Sequence, residues 1–150
     1  YNMIKTNAQF DLITSELTEI IDQTTAFIIV DDLDHLVKGG RLSNGAAMIG
    51  NLLNIKPILR FDEEGKIVVY EKIRTSKKAF KRLYKILAEN TKDRDYKVYV
   101  IHSNIPEKAH EVAEELTSKG FDVSIASFGA VIGTHLGEGA LGFGMSPKLK

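Results

Sequence analysis

The stretch "KPILRFDEEGKIVVYEKI", Lys56–Ile73, decides how the sheet of this protein is built. Two runs rich in Ile, Val, Tyr and Phe flank a polar link that ends at Gly65. Such a pattern predicts a hairpin, and a hairpin makes its two strands antiparallel. The other predicted strands are separated by helical patterns, which favour parallel neighbours. The predicted fold is therefore α/β: a two-layer α/β sandwich with a mixed β-sheet and helices mainly on one face.

Moving toward the N-terminus, "AFIIV" (26–30) reads as a buried strand, and Phe10, Ile13, Leu17, Ile20 and Ile21 recur at helical spacing. "DDLDHLVKGG" reads as a short helix framed by Asp residues and by Gly39-Gly40, and "SNGAAMIGNLL" as another capped by Ser43 or Asn44. Toward the C-terminus, Thr75 or Ser76 caps a helix that runs to about Glu89. Its lysines and Arg82 share one face, while Ala79, Phe80, Leu83, Tyr84, Ile86 and Leu87 share the other. "YKVYVIHS" is a strand, Pro106 opens a helix that ends at Gly120, and "FDVSIASFG" is the last long strand. The expected order is αβααββαβαβ, with the glycine-rich "GTHLGEGALGFG" (133–144) trailing behind it.

A length of 150 residues fits one domain, so residues 1–150 are read as a single domain. Twenty Lys plus Arg balance twenty Asp plus Glu, which leaves no global field for nucleic acid or an anionic membrane. The absence of cysteine excludes disulfides, thiol catalysis and thiolate-held metals, and suits a cytoplasmic protein. No apolar run reaches the length needed to cross a bilayer. The chain opens at Tyr1, with its first methionine at Met3, and reads as part of a longer protein.

Gly137, Gly139 and Gly142 match a G-x-G-x-x-G spacing, but the context of a dinucleotide fingerprint is missing. That motif must open a helix followed by a second strand and an acidic residue; here six residues follow Gly144 and include Pro147. Each glycine nevertheless costs conformational entropy, so either the backbone takes positive φ here or something bulky approaches it. Thr134 and His135, with exposed N–H groups, would suit an anion or carboxylate. A glycine-rich strand with bulges and a locally bonded histidine is the structural alternative.

Arg41 is suited to a forked grip on phosphate or carboxylate, or to holding the carbonyls that end the preceding helix. Small and apolar residues around Met48 suit packing on the sheet or an apolar tunnel. Asp31, Asp32 and Asp34 are better placed to cap a helix than to hold a cation, and no metal site is predicted. His102 closes a strand before a helix, where α/β folds bind ligands, whereas His35 and His110 read as helix-surface residues.

"VDDLDHLVKGGRLSNGAAMIGNLLNIKPIL", "EKIRTSKKA" and "FGAVIGTHLGEGALG", in this order and spacing, resemble the DegV family. The resemblance spans nearly the whole chain and corresponds to the C-terminal half of such proteins, whose N-terminal α/β domain is absent from this chain. It implies a fatty-acid-binding protein of the bacterial fatty acid kinase system. Such a protein carries a long-chain fatty acid to a separate kinase subunit, which forms an acyl-phosphate for phospholipid synthesis. The carrier itself is then non-catalytic, needs no cofactor, and uses Thr and Ser residues of its own N-terminal domain for part of the carboxylate site.

By the same resemblance, His135 faces the carboxylate, with Thr134 and Gly133 beside it. Arg74 serves engagement of the kinase, and Arg41 lies near the domain junction. Met48, Ile49, Leu52, Leu53 and Ile58 are expected to line the tunnel on their apolar character. Two other functions are weighed: a small metal-dependent phosphotransferase using Asp31, Asp32, His102 and His135, and a regulatory domain docking an acidic partner on Lys78 and Arg82.

Overall fold

A computed structural model describes residues 2–42, 55–92 and 95–148. The described elements run α1 (Asn2–Lys5), α2 (Phe10–Gln23), β1 (Thr25–Ile29), α3 (Asp34–Lys38), β2 (Ile58–Phe61) and β3 (Ile67–Glu71). They continue α4 (Ser76–Asn90), β4 (Tyr96–His102), α5 (Pro106–Ser118), β5 (Asp122–Ser127), α6 (Ala130–Leu136) and β6 (Leu141–Pro147). The expected helix over "SNGAAMIGNLL" lies outside the described residues.

The predicted hairpin is β2–β3, antiparallel, with Gly65 in its turn at φ +77°. Among the described residues the sheet has six strands in the order β3-β2-β1-β6-β4-β5. It is mixed: β4–β5, joined through α5, is parallel, and the other neighbours are antiparallel. Thr75 caps α4 as expected, its hydroxyl accepting from the Lys78 N–H at 3.3 Å. Pro106 occupies the first turn of α5, where its missing N–H has no intrahelical acceptor to lose.

The glycine segment differs from the expected trailing stretch. Ala130–Leu136 is a helix bounded by Gly129 and Gly137, and Leu141–Pro147 is a seven-residue strand at the centre of the sheet, between β1 and β4. Glycine conceals β6 because every second residue at its start lacks a side chain, which breaks the apolar run a central strand normally shows.

Strand alternation divides the interior into two layers. On one face Phe27, Ile29, Val98, Val100, Leu141, Phe143 and Met145 meet α4 through Ala79, Leu83, Ile86 and Leu87, and α5 through Ala109, Val112, Ala113 and Leu116. Each fully buried aliphatic or aromatic side chain here contributes about 1.5–3 kcal/mol. Among the described residues the opposite face is covered by less: Leu36 of α3 and Leu136 of α6 pack on Ile28, Val30 and Leu59. Among those residues α4 and α5 thus share one face, and the other carries the short α3 and α6 beside open space.

Candidate functional site

That open space is a cavity of about 630 Å³ on the second face. Its floor is Ala26 and Ile28 of β1, Ile101 of β4, and Gly142 and Gly144 of β6. The register places Gly144 opposite Ala26 and Gly142 opposite Ile28, so the small residues form a continuous trough. Phe128 and the α6 residues Val131, Ile132 and His135 build one wall. Phe61, Lys66 and Ile67 of the hairpin build another, and Gly40 and Arg41 close one end.

Among the described lining residues the ionisable side chains are Arg41, Lys66 and His135, and none is acidic. Lys66 pairs with Glu64. Arg41 is anchored by its Nη1, which donates to the Gly39 carbonyl at 3.3 Å. Arg41 therefore holds the carbonyl at the end of α3, as one of its two expected roles has it, and also borders the cavity. The volume lies within the range of about 300–1,000 Å³ usual for small-molecule sites. Chemically, the arrangement is an apolar trough with basic groups at its edge.

The predicted carboxylate residues separate. His135 lines the cavity. Thr134 is exposed, and its hydroxyl donates back to the Ala130 carbonyl at 2.8 Å. Gly133 faces Ser103, and its N–H is used inside the helix on Gly129 O at 2.9 Å. The N–H groups of Gly137 and Gly139 are likewise taken, by Gly133 O and Ser103 O. The expected cradle of free glycine N–H groups is therefore not formed, because the carbonyls of Gly129 and Gly133 and of Ser103 after β4 take them.

Among the expected tunnel residues, Met48, Ile49, Leu52 and Leu53 lie outside the described residues. Ile58 is fully buried, but in the layer beneath α4 and α5. Strand parity turns it to the face opposite the cavity, which corrects its expected place in the lining. Arg74 is exposed at the bend before α4.

Asp31, Asp32, His102 and His135 are not gathered into one cluster. Asp31 binds the Lys56 ammonium through its carbonyl at 2.6 Å and its carboxylate at 3.1 Å. Asp32 accepts the Asp34 N–H at 2.8 Å, a turn-forming contact. His102 shares its strand face with Val98 and Val100, away from the cavity, and its Nδ1 is buried without a hydrogen-bond partner among the described residues. Among those residues no group of three or more acidic or histidine side chains is arranged to hold a metal, and no helix is long and apolar enough to cross a membrane.

Sequence reasoning missed Phe128, Val131, Ile132 and the trough itself. The available signal was the alternation Gly142-Phe143-Gly144, which in a strand sends the ring to one face and leaves the other bare. His35, read as a helix-surface residue, is exposed but also touches Gly137.

A DegV-domain-containing protein of Streptococcus pyogenes serotype M1 is 61% identical to this chain over 142 residues, 93% of the chain and 50% of the relative. The crystal structure of a fatty acid binding DegV family protein from Streptococcus agalactiae matches with a TM-score of 0.90 at 53% identity, covering 98% of this chain and 53% of that one. DegV of Bacillus subtilis, described as a fatty acid binding protein, matches with a TM-score of 0.84 at 46% identity, covering 98% and 53%. The chain thus spans about half the length of the relatives it matches. A family model described as an uncharacterised protein of the DegV family matches residues 1–148. With nearly every residue inside that match, the chain belongs to the DegV family.

Proposed function

We propose that the natural protein carrying this chain is a cytoplasmic fatty-acid carrier, with the acyl tail in the trough over Gly144, beside the Phe128 ring that covers Gly142. One observation carries this reading: a large apolar cavity whose described ionisable lining is entirely basic. A long-chain carboxylate has the matching form, an apolar tail with an anionic head. Each buried CH₂ contributes about 0.8 kcal/mol. The head is expensive to bury without donors, and His135 and Arg41 supply them. The fatty acids bound by the similar DegV proteins support the same ligand class.

Val131 and Ile132 are 76% and 49% exposed at the cavity wall. The half of the relatives' length that this chain does not span closes over them and completes the carboxylate site. The carrier presents its cargo to a separate kinase subunit, which forms the acyl-phosphate; the exposure of Arg74 before α4 supports its assignment to that contact. Gly144→Leu tests the reading. Among the described residues a Cβ there meets Tyr99 alone, at 3.6 Å and beyond, so the backbone accepts a Cβ and the rest of the side chain enters the trough. Fatty-acid binding should be lost with the fold retained; unchanged binding would place the ligand elsewhere.

A further inference from the structure

Gly39 ends α3 and meets two of the basic side chains that border the cavity, His135 and Arg41. A Cβ on Gly39 would sit 2.7 Å from His135 Nδ1 and 3.5 Å from its Cε1, so the imidazole rests on the bare Cα. The carbonyl of the same residue holds Arg41 Nη1 at 3.3 Å. The packing is returned across the helix pair. Gly137 ends α6 at φ +77°, and a Cβ there would sit 2.7 Å from His35 Cδ2. Each helix-ending glycine thus receives the histidine of the other helix. Leu36 and Leu136, buried in one cluster, hold the two helices together beneath this clasp.

We propose that Gly39 is a positioning residue for the anionic end of the ligand: it fixes His135 through its missing side chain and Arg41 through its carbonyl. This rests on the fatty-acid reading above. With Nδ1 against Gly39, Nε2 is the ring nitrogen left to the ligand. A methyl group at Gly39 cannot share space with the ring, which must turn away, and Arg41 hangs on the same residue. A side chain at this position displaces His135, while the backbone carbonyl that holds Arg41 is kept. His35 acts at one remove, by holding the end of α6 from which His135 projects.

The test compares two ligands with one tail, palmitic acid and hexadecan-1-ol, each displacing a fluorescent acyl probe from the natural full-length protein. Gly39→Ala should weaken palmitic acid by about tenfold or more, the worth of one hydrogen bond to a charged group, and leave the alcohol unchanged. His35→Ala should give the same split with a smaller loss. It also carries the comparison if Gly39→Ala does not fold. Equal losses for acid and alcohol, or no loss for either, would overturn the positioning role while the fatty-acid reading stands. A wild-type protein that binds the acid no better than the alcohol would sink the carboxylate reading, and the positioning role with it.

Discussion

The ring of Phe128 covers Gly142: a Cβ on Gly142 would lie 2.6 Å from Phe128 Cζ. The glycine is thus a socket that keeps the ring down on the sheet and out of the cavity it borders. Gly142→Ala drives the ring upward into the space proposed for the acyl tail. Overpacking of this kind costs about 1–3 kcal/mol, so acyl-probe titration should show binding weakened about tenfold. Adding Phe128→Ala removes the obstructing ring and should restore most of the loss. A double variant as weak as the single one would contradict the socket.

Phe143 occupies the opposite face of the same strand, is fully buried, and meets Phe80 edge-to-face at 6.2 Å. Phe143→Ala empties the middle of the layer under α4 and α5. The expected cost is about 3–5 kcal/mol, read from the urea midpoint and slope. A loss below about 1 kcal/mol would mean that β6 is not the central strand that holds the sheet together.

Tyr84 on α4 donates to Glu115 on α5 at 2.7 Å, tying these two helices. Burial, and then this bond, push the Tyr84 phenol well above its ordinary value. The same bond, helped by Lys119, holds the Glu115 carboxyl below the usual carboxylate range. The raised phenol gives stability that is intact below its ordinary value of 10.0 and lost as pH rises through its folded value. The depressed carboxyl gives stability present above its ordinary 4.5 and lost as pH falls through its folded value. Tyr84→Phe should flatten both limbs of a urea-midpoint profile against pH and cost at most about 1 kcal/mol near neutrality. An unchanged profile would remove the coupling.

Arg74 lies outside the cavity lining, so charge reversal there should separate cargo from delivery. Arg74→Glu in the full-length carrier should leave the amount of extracted fatty acid unchanged and abolish acyl-phosphate formation by the kinase subunit. Equal acyl-phosphate formation by both proteins would show that delivery does not pass through Arg74.

The hairpin, the amphipathic α4 and the βαβ unit around α5 were legible because each is a local pattern: alternation around Gly65, a cap at Thr75, a proline at Pro106. β6 was not, since Gly142 and Gly144 remove the apolar period from a strand whose neighbours, β1 and β4, are distant in sequence. The site was half legible. His135 and Arg41 stand out as a histidine and an arginine among glycines, and both reach the cavity. Ile58 was misplaced because its apolar character does not say which sheet face it takes; only the register does, and that depends on a shift between Ile58 and Leu59. The contacts of His35 with Gly137 and of Phe128 with Gly142 join elements far apart in sequence or two strands apart in the sheet, and no local spacing encodes them.

The most direct measurement is extraction of the purified natural protein into denaturing solvent, followed by mass spectrometry for free fatty acids. A carrier whose trough holds an acyl tail should release a stoichiometric amount of long-chain fatty acid. A protein that yields none, and takes up none after incubation with fatty acid, would contradict the account.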